Sequence, residues 1–506
     1  MHEDFERCYR ALQSRDQRFD GWFVTAVTST GVYCRPSCPA RTPRPSNVRF
    51  FAEVAAAQAA GFRACLRCRP DAAPGSPEWR WRTDVAARAM RLIADGVVDR
   101  EGVDGLAGRL GYSRRQLQRV LVAEVGTGPL ALARAQRAQT ARLLLQTTAL
   151  AVAEVAFAAG FESVRQFNDT VRAVFAMTPT ELRRRGGRPE RRQEVAAAGT
   201  GEEWGQEVHL RLACRRPFAG RALVDFLALR AVGGVEEVDG ATYRRSLALP
   251  HGPAVVELEP EEGAVRVRLR LADLRDLAAA VSGCRRLLDL DADPVAVDEA
   301  LGTDRLLGPL VEATPGRRLP STVDGAELAV RGVLGQQVSL AGARTLTARV
   351  VAAAGTPLPA PVGRLTHLFP SPEQLLALHE RRPGAFAVPA ARARTLVELC
   401  GALASGRVVV GPGTDPAELD EALGSLPGIG PWTVAYVKLR GLGHPDVFLP
   451  TDLGVRRALD CLGLPSDPSG AATVAERWRP WRSYALVHLW AHQPTARRTD
   501  RERSAA

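Results

Sequence analysis

The sequence predicts a multidomain protein, mainly α-helical with α+β parts, and three observations carry that expectation. Two cysteine pairs, Cys34-x3-Cys38 and Cys65-x2-Cys68, lie near the start of the chain. Apolar residues recur at helical spacing between about 78 and 185 and again from about 323 onward. Between those stretches, "EVHLRLA" (207–213) and "AVRVRLRLA" (264–272) alternate apolar with polar residues, the period-two sign of half-buried strands. With 506 residues the chain is too long for one core, and roughly three or four domains are expected.

Composition narrows the partner. Lys and Arg total 67 against 56 Asp and Glu, a formal net charge of +11. A surplus of that size points to a polyanion, with nucleic acid the first candidate. No stretch approaches the ~20 apolar residues of a spanning helix, so no membrane is expected. The first residues, "MHEDFERCYR", are acidic and carry no apolar run, which predicts a cytoplasmic, nucleoid-associated protein. Cys8, Cys214, Cys284, Cys400 and Cys461 are scattered, a reduced pattern in which metal binding is expected rather than a disulfide framework.

Two stretches read as linkers. "DAAPGSPEWR" (71–80) is rich in Pro, Gly and Ala, and "GGRPERRQEVAAAGTGEEWG" (186–205) mixes Gly, Pro and charge runs without apolar period. The expected order is a small zinc domain (1–75), a double helix-turn-helix (78–185), the linker 186–205, an α+β domain (206–310) and a helical domain (311–495).

In the first of these, 26 residues separate the cysteine pairs. The spacing fits one Zn²⁺ held tetrahedrally by Cys34, Cys38, Cys65 and Cys68. Spacing alone fits a closed structural site; electron-rich zinc-bound sulfur can also be a nucleophile when an electrophile reaches it. The run "TGVYCRPSCPAR…GFRACLRC" resembles the amino-terminal domain of the Ada adaptive-response proteins, over roughly residues 1–75. The resemblance implies that Cys34 takes a methyl group from a methylated DNA phosphate, and that Thr30, Arg41 and Arg63 contact the DNA. Methylation would remove one negative charge from a surface facing DNA and tighten DNA binding.

In the second, "VDGLAGRLGYSRRQLQRVLVAEVG" (103–126) holds an apolar helix, a Gly-Tyr-Ser turn and a second helix starting near Ser113. Arg114, Arg115 and Gln118 stand near the start of this expected recognition helix. A second copy, "AVAEVAFAAGFESVRQFNDTVRAVFAMTP" (151–179), turns at Gly160-Phe161. The region 78–185 resembles AraC-type transcription factors, which implies promoter DNA and RNA polymerase as partners. A monomer is expected.

The carboxy-terminal half contains "LPGIGPWTVAYVKLRG" (426–441), where Pro427-Gly428-Ile429-Gly430 reads as a hairpin between helices and Pro431 suits the first helical position. Amides around Gly428 and Gly430 can form a concave site for a DNA phosphate. Asp452, in "FLPTDLGVRRAL", precedes a helical pattern and is either an N-cap or a catalyst, or both. Residues 206–495 resemble AlkA-type 3-methyladenine DNA glycosylases of the helix-hairpin-helix superfamily. The segments carrying this are "FLALRAVGGVEEVDGATYRRSL" (226–247), "LPSTVDGAELAVRGVLGQQVSLAGARTLTARV" (319–350), the hairpin, and "AERWRPWRSYALVHLW" (475–490). The resemblance implies that Asp452 drives N-glycosidic cleavage, that Trp432, Tyr436 and Trp490 line the base pocket, and that Gln337 stands where such enzymes place a wedge into the DNA.

Lys438 is the only lysine in the chain. Related enzymes that also nick the strand use a lysine at the position Trp432 occupies here, so a monofunctional glycosylase without lyase chemistry and without an organic cofactor is expected. The whole reads as a methylation-sensing regulator fused to a glycosylase for alkylated bases. The rival is a DNA-binding regulator whose glycosylase-like half is inactive.

Overall fold

The computed structural model describes residues 4–65, 67, 68, 70, 84–148, 150–185 and 204–492. Of the two expected linkers, 71–80 lies outside the described residues, as does 186–205 except for Trp204 and Gly205.

The cysteine-rich part is a small sheet in the order β3-β1-β2-β4, with β1 Val24–Val27, β2 Val32–Cys34, β3 Val48–Phe51 and β4 Arg63–Ala64. β1 pairs antiparallel with β2 and β3, whereas β4 runs parallel to β2. That parallel pairing decides the cysteine geometry. Val32 sits opposite Arg63 and Tyr33 opposite Ala64, and the Cys65 amide donates to the Tyr33 carbonyl at 2.9 Å. The two cysteine pairs are thus brought side by side at the ends of neighbouring strands.

Both helix-turn-helix units form. In the first, Val97–Leu110 leads through a turn to Arg114–Val125, whose start is fixed by a capping box of Ser113 and Gln116. The long helix Pro129–Thr147 joins it to the second unit, Val152–Ala158 and Val164–Phe175, the latter capped by Ser163. The first unit shares its core with the cysteine-rich part, since Ala55 is buried among Leu92, Leu106 and Leu121.

The predicted alternation yields a five-stranded antiparallel sheet in the order β5-β9-β8-β7-β6. Its strands are β5 Gln206–Ala213, β6 Glu236–Asp239, β7 Thr242–Leu249, β8 Gly252–Glu261 and β9 Ala264–Leu271. Val208, Leu210 and Leu212 of β5 and Val265, Val267 and Leu269 of β9 face inward. On the outer face Arg266 pairs with Glu259 at 2.8 Å and Arg270 with Glu207 at 3.1 Å. The inner face does not close on its own helices alone. Leu144 and Leu145 of the joining helix and Val155, Phe161 and Phe167 of the second helix-turn-helix unit lie in the same core as Val208 and Val256. The helix Val85–Ala94, which precedes the first unit, and Asp95 at its end are also docked to the carboxy-terminal half. Arg88 Nε donates to the Gly413 carbonyl at 2.7 Å, Arg91 Nε to the Pro412 carbonyl at 2.6 Å, and Arg286 pairs with Asp95 at 2.9 Å.

The carboxy-terminal helices pack in two cores, one around Val333, Leu399 and Leu423, the other around Trp478, Leu486 and Leu459. No helix among the described residues is long and apolar enough to cross a membrane.

Candidate functional sites: a thiolate cluster and an aromatic cavity

The Sγ atoms of Cys34, Cys38, Cys65 and Cys68 all lie within 4.8 Å of one another. Tetrahedral Zn–S bonds of ~2.3 Å place sulfurs ~3.8 Å apart, so four sulfurs gathered this closely fit one Zn²⁺. Four sulfurs this close and mostly buried would repel one another as thiolates, which is the further reason a dication suits them. Cys34, Cys38 and Cys68 are buried, with Cys65 half-buried. Thr30, Arg41 and Arg63, each within a few residues of one of these cysteines, are exposed, and Thr30 Oγ1 donates to the Val27 carbonyl at 3.4 Å.

On the first recognition helix Arg114 and Arg115 are exposed, Arg114 lying 3.7 Å from Asp104. Gln118, one turn further on, is exposed as well, and its amide packs against Gly128, where a Cβ would meet Oε1 at 2.3 Å.

A cavity of about 1250 Å³ opens in the carboxy-terminal half, lined by Trp432, Tyr436, Trp490, Asp452, Gln337, Gly428 and Gly430 among others. The hairpin forms where predicted: helix Pro416–Gly424, a turn, then helix Pro431–Gly441 with Gly430 at its N-cap. Gly428 has φ of +81°, and a Cβ on it would meet Thr395 Oγ1 at 2.0 Å, so only glycine fits both backbone and neighbour. The Gly428 carbonyl accepts from Gln336 Nε2 at 3.1 Å, which ties the turn to the loop bearing Gln337. Gln337 is exposed at the rim with φ of +55°, a strained value for a non-glycine residue. Beside it Val338 and Leu340 are 37% and 44% exposed, so the lip carries apolar side chains although Gln337 is polar.

Asp452 caps helix Leu453–Cys461, with Oδ1 accepting from the Val455 amide at 3.0 Å. Two indoles also hold its carboxylate. Trp490 Nε1 donates to Oδ1 at 3.1 Å and Trp432 Nε1 to Oδ2 at 3.2 Å. The cap and the cavity position therefore belong to one residue. A carboxylate has about four acceptor sites, so three donors leave capacity on Oδ2. Trp432 stacks on Tyr436 with ring centres 5.0 Å apart and planes 7° apart.

Sequence reasoning missed Phe226, Arg230 and Arg440. Arg230 stacks 3.6 Å over Phe226, which in turn lies 5.9 Å from Trp490. Arg440 lies 5.0 Å from the Phe226 ring, and its Nη1 donates to Tyr436 Oη at 3.3 Å. Burial pulls the Arg230 guanidinium down to about 10, with Tyr436 partly offsetting it, and burial likewise lowers Arg440. The i, i+4 spacing of Phe226 and Arg230 was the only signal available. Behind them Glu236 accepts from Tyr243 Oη at 2.6 Å and Arg331 at 2.9 Å, and Glu327 accepts from Arg245 at 2.6 Å. Burial opposes ionisation of Glu236, but Arg331 and Arg245 outweigh it and hold the carboxyl below its usual value. Lys438 is engaged elsewhere: it pairs with Asp420 at 2.5 Å and is absent from the cavity lining.

Comparison with known proteins defines the class first. The metal binding domain of Ada matches residues 7–71, a helix-turn-helix domain 106–185, the AlkA N-terminal domain 209–324, and the HhH-GPD superfamily base excision DNA repair protein 330–483. This is a DNA-binding protein with an Ada-type metal-binding part and a helix-hairpin-helix repair part. A Mycobacterium tuberculosis (strain H37Rv) protein, "Probable bifunctional transcriptional activator/DNA repair enzyme AlkA", is 56% identical over 490 residues, 97% of either chain. The Escherichia coli K12 DNA-3-methyladenine glycosylase 2 is 38% identical over 279 residues, 54% of this chain and 94% of its own. The E. coli K12 bifunctional transcriptional activator/DNA repair enzyme Ada is 37% identical over 134 residues, 26% of this chain and 36% of its own. The chain belongs to the family of bifunctional AlkA transcriptional activator/DNA repair enzymes.

Proposed function

We propose that this protein accepts methyl groups from DNA methylphosphotriesters on Cys34, regulates transcription, and excises alkylated bases of the 3-methyladenine type by N-glycosidic hydrolysis. The single observation that carries the excision is Asp452, held by the Trp432 and Trp490 indoles in the wall of an aromatic cavity. An N3-alkylated purine is already a good leaving group, so little acid catalysis is required. Trp432, Tyr436 and Trp490 receive the flipped base, while Gln337 and the neighbouring Val338 fill the space it leaves. The Asp452 carboxylate stabilises the oxocarbenium-like sugar as the C–N bond breaks, then takes a proton from the attacking water. Gly428 and Gly430 amides hold a backbone phosphate. The engagement of Lys438 with Asp420 supports a monofunctional enzyme that does not nick the strand.

In the amino-terminal part, Cys34 sulfur attacks the methyl carbon, the C–O bond breaks, and a phosphodiester anion leaves. Zinc, when bound by Cys34, Cys38, Cys65 and Cys68, keeps the sulfur deprotonated at neutral pH. Thr30, Arg41 and Arg63 orient the phosphotriester, and Arg114 and Arg115 grip promoter DNA. The proposal includes the domain limits 1–75, 78–185, 206–310 and 311–495, RNA polymerase as partner, a monomeric state and a cytoplasmic, nucleoid-associated location.

The test is one incubation with methylated duplex DNA, reading released bases and protein-bound methyl together. Both are expected, and Cys34→Ser should lose the bound methyl while base release persists. Bound methyl without any released base would instead support the regulator with an inactive glycosylase-like half.

A further inference from the structure

Asp20 lies just before β1, with a side chain only 7% exposed. Its Oδ1 accepts from the Ser37 amide at 3.0 Å and its Oδ2 from Ser37 Oγ at 2.6 Å. Arg35 Nη1 lies 3.3 Å from the same Oδ2. Arg35 and Ser37 are both inside the loop that joins Cys34 to Cys38, so one buried carboxylate fixes the middle of that loop.

The other end of Asp20 faces a different part of the molecule. Its carbonyl accepts from Arg215 Nη2 at 2.6 Å, and Arg215 Nη1 donates to the Asp291 carbonyl at 2.9 Å. Arg318 Nη2 donates to the Arg215 carbonyl at 2.5 Å and to the Pro217 carbonyl at 3.3 Å. Arg215 and Arg318 are 6% and 1% exposed. The thiolate loop is therefore joined to the sheet-bearing half through a chain of hydrogen bonds shielded from water. Such bonds are costly to leave unmade, because a buried guanidinium or carbonyl that loses its partner keeps its desolvation penalty. Exposed contacts between the same parts, such as Arg18 with Glu299 at 3.7 Å, carry much less.

We propose that Asp20 is a positioning residue that joins the thiolate cluster to the sheet-bearing half: its carboxylate sets the Cys34–Cys38 loop, and its carbonyl seats that loop on Arg215. Loading of the thiolate cluster and order in the sheet-bearing half are then coupled, and the coupling runs equally in both directions. The effect on methyl transfer rests on the reading of Cys34 as acceptor; the coupling itself does not.

Two measurements on the full chain separate these. Hydrogen exchange is compared between zinc-loaded protein and protein stripped with a chelator. Zinc removal is expected to speed exchange severalfold at residues 206–216 and 288–293 as well as around the cysteines. Arg215→Met should confine the change to the amino-terminal part, whereas Arg215→Lys, which keeps one donor, should restore part of the spread. A change confined to residues 20–70 in the wild type would overturn the proposal. The second measurement is the rate of methyl transfer at equal zinc content. Asp20→Ala is expected to slow it by about tenfold, as loss of a partner behind a metal ligand does, and Asp20→Asn by less, because its amide oxygen still accepts from Ser37. Base release should be unchanged in both variants. Transfer within twofold of wild type in both would also overturn it. If the wild type itself takes no methyl, the assignment of Cys34 fails, and the exchange experiment alone decides the role of Asp20.

Discussion

At Asp452 one carboxylate meets three donors, and that geometry sharpens the test of its role. Asp452→Asn preserves shape, and Asn caps helices about as well as Asp. The amide can face only one of the two indoles with its oxygen, so one hydrogen bond from Trp432 or Trp490 is lost. That costs about 1 kcal/mol of stability. If Asp452 stabilises a developing cation, base release should fall by about 100-fold or more. Kinetics of 3-methyladenine release, run beside denaturant melts, distinguish the two. A folded variant with near wild-type release would remove Asp452 from the mechanism. Trp432→Phe should be milder, since it keeps an aromatic ring beside Tyr436 while losing the donor to Asp452 and part of the stacked surface.

Elements carry the next set of expectations. The hairpin turn depends on Gly428, where an added methyl meets both a positive φ and Thr395. Gly428→Ala should cost about 1–3 kcal/mol and weaken binding to undamaged duplex. Combining it with Thr395→Ala should recover the steric share and leave the backbone share, which a double-mutant cycle in urea would read. The helix Arg482–Ala491 presents Trp490 to the cavity and buries His488 on the way. Burial, aided by Arg317, pushes the His488 imidazole down to about 3 from an ordinary 6.5. Below pH 6.5 the unfolded chain binds a proton that the folded one refuses, so stability falls as pH drops from 6.5 towards 3. The slope is about 1.4 kcal/mol per pH unit. His488→Gln should lack this contribution, so its stability relative to wild type should rise by about 2 kcal/mol between pH 7 and pH 5. Denaturant titrations at both pH values measure it.

Over the whole molecule, charge decides how the parts meet DNA. Zinc with four thiolates carries a net charge of −2, and methylation of Cys34 reduces it to −1. With Thr30, Arg41 and Arg63 exposed within a few residues of these cysteines, the methylated protein should bind promoter DNA several times more tightly. The ratio should be largest at low salt and shrink as the Debye length falls below about 10 Å near 0.1 M. Affinities measured across salt for both forms check this, and equal affinities at low salt would sink the electrostatic account.

Local pattern determined a great deal by itself. The thiolate spacing, the period-two strands β5 and β9, the helix starts at Ser113 and Pro431, and the place of Asp452 before a helix are all functions of neighbouring residues. Spacing and capping act over a few positions, so the sequence displays them directly. What only the tertiary structure decided involves residues far apart in the chain. Nothing local says that β4 runs parallel to β2, and that pairing is what gathers Cys34 and Cys65. The region 186–205 reads as a divider, yet Phe161 and Val208 on either side of it share one core, because the sheet leaves an apolar face that the second helix-turn-helix unit covers. In sequence Arg230 is one arginine among many, and only the fold sets Phe226 and Trp490 against it. Asp20 is an ordinary turn aspartate in sequence, and only the fold sets Ser37 on one side of it and Arg215 on the other. Burial and partner choice are set by which surfaces exclude water together, and that is a property of the packed chain rather than of any stretch within it.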